Sequence, residues 1–277
     1  MSAAARVGAF ALALAAVFAA AALAGGVVGP FERTVAAAHE DEMADEEHAA
    51  AAPAGLAVAQ DGLRLVAERT TFDAGEEGVL AFAIEAEDRP LDEFDVTHER
   101  EMHLIVVRRD LGAFLHLHPE RRADGRWAVT LRLPDPGTWR AFADFSTGGA
   151  KRTLGVDLHV FGGTPPARPE PAAERWAVVD GHRVVLHPER RRAGEEAALR
   201  FTVMRDGRAI GVEEYLGARG HLVVLREGDL AYLHTHAEED ELEFETTFPD
   251  AGRYRAFLQF QVDGVVRTAE FAVEVGP

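Results

Sequence analysis

Two sets of three histidines stand out: His103, His116 and His118, and then His221, His234 and His236. In each set one histidine precedes a His-x-His pair, and the spacing is the same in both. Neutral imidazole suits copper, zinc or nickel, whereas magnesium and calcium want oxygen ligands. At equal ligands the Irving–Williams order places copper above zinc. The expected cofactor is therefore a transition-metal ion, copper before zinc, and the partner is the ion itself. Glu120 and Glu238 follow the last histidine of each set by two residues and could add a ligand or a hydrogen bond to one. The competing reading is that these histidines are structural, half-buried and simply hydrogen-bonded.

What must position them is a β-hairpin. In the second set a Gly228-Asp229 loop pairs Leu225 with Tyr232, Val223 with His234 and His221 with His236. In the first, a loop centred on Asp110-Leu111 pairs Val107 with Phe114, Ile105 with His116 and His103 with His118. Directly opposite residues share a face, as do residues two apart on one strand. Each hairpin therefore gathers three imidazoles on one patch. Opposite Cβ atoms lie about 5 Å apart, close enough for the rings to converge on one ion. His98 stands near the first set, but its region in the second half has no matching histidine. Met102 becomes Gly220, so a thioether ligand for cuprous ion is available in the first half only.

The hairpins belong to one unit written twice. Ala74-Gly-Glu-Glu77 returns as Ala193-Gly-Glu-Glu196, and His103-Leu-Ile-Val-Val-Arg108 as His221-Leu-Val-Val-Leu-Arg226. Pro134-Asp-Pro-Gly-Thr-Trp-Arg-Ala-Phe142 returns as Pro249-Asp-Ala-Gly-Arg-Tyr-Arg-Ala-Phe257. Each unit is a series of short apolar or alternating runs separated by Gly, Asp and Pro turns, with no competing helical period. About seven such strands in roughly 100 residues predict a β-sandwich. Asp250-Ala-Gly-Arg-Tyr254 resembles the tyrosine corner of immunoglobulin-like sandwiches. Trp139, in the matching place, is not expected to donate in quite the same way. The expected fold is all-β: two tandem immunoglobulin-like β-sandwich domains after an N-terminal hydrophobic helix. The sandwiches cover residues 56–161 and 174–277, joined by a proline-rich linker at 162–173.

Composition narrows the functions further. There are 47 acidic and 29 basic side chains among 277 residues, a net charge of -18. Such a surface attracts cations and offers no basic face to nucleic acid. Cysteine is absent, which removes disulfides, thiolate nucleophiles, Cys-based zinc sites, Fe–S clusters, type-1 copper and a lipidated-Cys anchor. Asparagine is absent too, so there is no N-glycosylation sequon.

Residues 1–29 read as a signal peptide or a membrane anchor. Val7 to Val28 carries no charge, and about 20 apolar residues span a bilayer. Ala22-Leu-Ala24 is an acceptable small-x-small cleavage site. Either reading places the bulk of the chain outside the cytoplasm, held to the membrane if the segment is uncleaved. Residues 30–55 form an acidic tether containing His39, Met43 and His48, read as a solvated linker with weak cation affinity at most.

The stretch from Met102 to Glu120, followed by Pro134-Asp-Pro-Gly-Thr-Trp139, resembles the YtkA-like (FixH-like) bacterial β-sandwich modules. Gly220-His-Leu-Val-Val-Leu225, His234-Thr-His236 and Pro249-Asp-Ala-Gly-Arg-Tyr254 repeat the pattern, with Ala237 in place of Pro119. The resemblance implies an exported or membrane-anchored module, several of which occur with copper or other heavy-metal handling. The leading reading is thus a non-enzymatic extracytoplasmic metal-binding protein, a copper chaperone or buffer. The second is a membrane-anchored immunoglobulin-like interaction module holding a membrane protein partner, with structural histidines. The third is a cupin-like His₃ metalloenzyme, since Gly228 to Glu241 resembles the first cupin motif. Against it, Gly112 stands too close to His116, and Arg140 and Arg255 occupy the strand that should carry the later cupin histidine.

Overall fold

The computed structural model describes residues 53–165, 175–237 and 241–277. The expected N-terminal helix, nearly all of the tether, most of the linker and Glu238 lie outside the described residues. No helix occurs among those described. The first half contains β1 (Ala59–Gln60), β2 (Leu63–Ala67), β3 (Thr71–Asp73), β4 (Glu77–Ala86), β5 (Arg89–Pro90), β6 (Met102–Arg108), β7 (Phe114–Leu117), β8 (Glu120–Arg121), β9 (Trp127–Arg132), β10 (Gly137–Thr147) and β11 (Ala150–Phe161). The second repeats the series from β12 (Trp176–Val179) through β13 (His182–Leu186), β14 (Glu196–Arg205), β15 (Arg208–Ala209), β16 (Gly220–Arg226), β17 (Tyr232–Leu233), β18 (His236–Ala237), β19 (Glu243–Thr247) and β20 (Gly252–Val262) to β21 (Val265–Val275).

In the first half one sheet has the order β1-β2-β4-β9-β8 and the other β3-β11-β10-β6-β7, with β3 parallel to β11. In the second half the orders are β12-β13-β14-β19-β18 and β17-β16-β20-β21. This is the two-sheet arrangement of immunoglobulin-like domains. The corner is present in both halves. Tyr254 donates its hydroxyl to the Asp250 carbonyl at 2.8 Å. Trp139, contrary to expectation, makes the equivalent bond from its indole Nε1–H to the Asp135 carbonyl at 2.9 Å. Both rings reach the carbonyl four residues back, so the corner needs a donor of suitable reach rather than a phenol.

Three apolar cores hold the described residues together. Two lie inside the sandwiches, around Phe82, Trp127 and Trp139 in the first and Phe201, Phe244 and Phe271 in the second. The third lies between them. It joins Ile105, Val107, Leu111 and Phe142 to Val223, Leu225, Leu230, Tyr232 and Phe257. This explains why β6 and β16 are apolar on both faces. A strand with one face in water alternates, and one covered on both sides does not. β6 is buried along its whole length. Phe114 stacks on Phe257 with ring centroids 4.4 Å apart, and Phe142 packs on Tyr232 at 5.6 Å. Burying each such aromatic is worth about 1.5–3 kcal/mol. Ala54 and Gly55, read as tether, belong to this region: the Ala54 carbonyl accepts from the Tyr232 amide, and the Gly55 amide donates to Thr153.

Candidate metal centre

The hairpin register agrees with expectation where the strands pair. Val107 opposes Phe114, Ile105 opposes His116, and Leu225 opposes Tyr232. The turns are wider than expected in the second half: the Arg226 amide reaches the Ala231 carbonyl around a four-residue loop in which Leu230 has φ 68. The loop is pinned by Asp229, which accepts from the Ala231 amide and pairs with Arg226. Past these turns the two halves diverge. The first ladder runs to Leu117 and the chain changes sheet at Glu120. The second stops at Leu233, and His236 already pairs with Glu245 in the other sheet. Pro119 has no amide hydrogen and Ala237 has one, which accords with the later crossing in the first half.

His103, His116 and His118 gather as expected, each offering a ring nitrogen within 4.8 Å of the others'. Ring centroids are 5.4 Å apart for His103 and His116, 5.1 Å for His103 and His118, and 4.8 Å for His116 and His118. In the second set the backbone places His236 on β18, in the other sheet. His221 turns to the first sandwich, 6.0 Å from His116 and 5.1 Å from His98 between ring centroids. His234 meets Thr153 Oγ1 at 3.2 Å and lies 3.9 Å from Asp144. Both contacts are made to the first sandwich. His98, His103, His116, His221, His234 and Asp144 thus line one cavity of about 80 Å³ between the sandwiches. Met102 is removed from the centre: it lies on the other face of β6, in the first sandwich's core. Glu120 is exposed and starts the strand that joins the opposite sheet.

Hydrogen bonds assign the tautomers. His103 Nε2 lies 2.9 Å from the Thr97 carbonyl, which can only accept, so that nitrogen carries the hydrogen. His103 Nδ1 therefore presents a lone pair. His116 Nδ1 lies 2.6 Å from Gln259 Oε1, and Gln259 Nε2 in turn faces Thr268 Oγ1 at 3.4 Å. With the amide so oriented, His116 donates from Nδ1, leaving a lone pair on Nε2. These two lone pairs face each other, Nδ1 to Nε2, at 3.2 Å. Two nitrogens bound to one tetrahedral ion at about 2.05 Å stand about 3.3 Å apart. His118 Nε2 is buried and has no hydrogen-bond partner among the described residues.

His116, His118 and His221 hold a proton poorly. Burial pushes His116 well below the usual imidazole range, and His103 and His118 reinforce the shift; the Gln259 contact opposes it. Burial likewise takes His118 down to about 4, with His103 and Arg100 adding to it. His221 falls to about 4, again mainly by burial, against the upward pull of its bond to Tyr215. Near neutral pH His116, His118 and His221 are neutral nitrogen donors, the form a metal requires.

Sequence reasoning missed the partners Gln259, Asp144 and Thr97. A signal for the first two existed: Phe142 and Asp144, like Phe257 and Gln259, occupy alternate positions of strands whose outer face is apolar. Read as a covered face, that alternation would have placed both polar side chains beside the histidines.

The sequence profile of a domain of unknown function, DUF8832, matches residues 57–162 and 177–277. No curated protein matches in sequence. Among solved structures, the Escherichia coli adhesin FdeC is 13% identical, with 80% of this chain and 66% of that chain covered and a TM-score of 0.28. Yersinia pseudotuberculosis InvD is 14% identical over 77% of this chain and 57% of that chain, with a TM-score of 0.23. The titin fragment A168169 is 10% identical over 78% and 98%, with a TM-score of 0.22.

Proposed function

This chain belongs to the DUF8832 family, whose domain it carries twice, and we propose that it is an extracytoplasmic protein holding a transition-metal ion, copper or zinc, at His103, His116 and His118. The observation that carries the reading is the approach of His103 Nδ1 to His116 Nε2 at 3.2 Å, which the tautomers assigned above make a contact of two lone pairs. Left as they are, the two lone pairs repel; a cation between them turns the contact into a chelate. The orphaned Nε2 of His118 supplies a third donor, and the net charge of -18 draws cations to the surface. The outer groups have the form usual for ligating histidines, a carbonyl behind His103 and an amide oxygen behind His116.

The extracytoplasmic location rests on the uncharged Val7–Val28 run and on the resemblance to YtkA-like modules. A cytoplasm-dependent reporter fused after Pro277 stays silent on this account; strong activity would place the chain inside. The metal reading is tested by titrating the full chain, purified without a His-tag, with copper and with zinc. One ion per chain is expected, with copper tighter, and His116→Ala with His118→Ala abolishes it. If the double variant binds as the parent does, the histidines are structural and the chain is better read as an immunoglobulin-like interaction module.

A further inference from the structure

The second sandwich sends its own histidine toward this cluster, and that departure from two separate triads carries a further step. His221 is the repeat counterpart of His103, and its surroundings are copied with it. Thr97 and Arg100 close a two-residue turn in which His98 and Glu99 both have positive φ, at 49° and 60°. Tyr215 and Ala218 close the same turn around Leu216 and Gly217, at 52° and 69°. Positive φ at both central residues defines the tight hairpin turn of type I′. In each turn the first carbonyl points at the histidine six residues on: Thr97 O to His103 Nε2 at 2.9 Å, Tyr215 O to His221 Nε2 at 2.8 Å. His221 therefore also keeps its hydrogen on Nε2 and its lone pair on Nδ1. No hydrogen-bond partner for that Nδ1 occurs among the described residues.

We infer that His221 Nδ1 is the fourth ligand of the ion held by His103, His116 and His118, so that metal binding joins the two sandwiches. This rests on the metal reading above and extends it to the second domain. Four arguments support it. His221 lines the same cavity as His103 and His116. Imidazoles on one tetrahedral ion have ring centroids about 5 Å apart, and the His116–His221 separation of 6.0 Å exceeds that by a shift a side chain can absorb. His221 is almost fully buried, on a strand locked into the middle of its sheet between β17 and β20, and ligands on rigid elements are the well-aimed ones. Finally, His234, which lines the same cavity, is turned to Thr153 and Asp144. His98 also approaches, 6.2 Å from His103 between ring centroids. It is exposed on the turn, however, and stands beside the cluster at its solvent edge.

The consequence is mechanical. The interdomain core around Ile105, Phe142, Val223 and Phe257 already holds β6 and β16 face to face. An ion bound by three nitrogens of one sandwich and one of the other adds a polar staple at the end of that core. Metal loading then rigidifies both domains, not only the hairpin that carries His116 and His118.

The test uses the full chain and cobalt(II) as a spectroscopic probe, with amide hydrogen exchange as the second readout. The parent is expected to bind one equivalent, to show the intense visible bands of a four-coordinate site, and to slow exchange in both β6 and β16. His221→Ala is expected to keep the one-to-one stoichiometry but to bind about 10–100-fold more weakly, on the scale of losing a supporting contact or more. Its bands change, and protection on metal addition is confined to β6 and β7. His221→Gln keeps a donor for the Tyr215 carbonyl and so preserves the fold; it should behave like the alanine variant. If both variants bind with the parent's affinity and bands, or if His98→Ala alone produces the loss, the inference is overturned while the three-histidine site stands. If the parent itself binds no cobalt, zinc or copper, the metal reading falls and the inference with it.

Discussion

His116 and Gln259 come from different sandwiches, yet they meet at 2.6 Å, Nδ1 to Oε1, and the contact has a mirror. His234 is the counterpart of His116 and Asp144 the counterpart of Gln259, and these two also approach across the interface, at 3.9 Å. The apolar pairs follow the same rule. Phe114 stacks on Phe257, and the equivalents Tyr232 and Phe142 pack together. The two repeats therefore face each other as a self-complementary pair, the isologous pattern of a two-fold dimer written into one chain. Its halves are no longer alike. The amide in one orients the His116 imidazole. The carboxylate in the other accepts from Thr153 at 2.8 Å and faces the Tyr232 hydroxyl at 3.4 Å, so His234 joins a closed polar network.

Gln259 is predicted to set the tautomer of His116. Gln259→Leu removes the acceptor behind Nδ1 and frees the ring to place its hydrogen on Nε2, where the ion should bind. Metal affinity is expected to fall about 10- to 100-fold, as for other groups that support a ligand, with an unchanged far-ultraviolet spectrum. Titration of parent and variant in parallel checks this; equal affinities would show that the amide has no such role.

Acid should destabilise the metal-free protein within a defined window. His118 and His221 titrate near 4 in the folded chain, below the unfolded value of about 6.5. Between these values the unfolded state binds more protons, so the stability these two groups contribute falls as pH drops from about 6.5 toward 4, and their contribution levels off below. Each group contributes a slope of at most about 1.4 kcal/mol per pH unit, less where solvent reaches it. Denaturant unfolding at several pH values measures the slope, and His118→Gln together with His221→Gln should flatten it.

The interdomain core should be separable from the sandwiches. Phe257→Ala removes the ring stacked on Phe114 and is expected to cost about 3–5 kcal/mol. The loss falls on the contact between domains, so calorimetry should resolve two transitions where the parent shows a coupled one. A single unshifted transition would mean the domains are energetically independent already.

Both corner donors should contribute to stability. Tyr254→Phe and Trp139→Phe each leave a carbonyl, of Asp250 and Asp135, without its side-chain donor. The tyrosine variant is expected to lose about 0.5–1.5 kcal/mol. The tryptophan variant loses more, because a smaller ring also leaves a cavity in a fully buried site. Chemical denaturation of both variants checks the order.

Much of this was legible in the residues. Repeats, turns and the period of two were enough for two sandwiches, and turn-centred register brought His103, His116 and His118 to one patch. The second set followed the same local logic and diverged for a tertiary reason. A hairpin register says which face a side chain takes, and nothing about what packs on that face. His221 and His234 do share a face, but that face meets the other sandwich, and His236 has left the sheet two residues earlier than its counterpart. The clue was the run Leu222-Val-Val-Leu225, apolar on both faces where a solvated sheet would alternate.

The central claim concerns where an ion sits, and anomalous diffraction from crystals of the full chain loaded with copper or zinc locates it directly. The account predicts one peak about 2 Å from both His103 Nδ1 and His116 Nε2, with His118 and His221 turned toward it. A peak at His234, His236 or the tether histidines and none at His103, or no peak at all in loaded crystals, would contradict it.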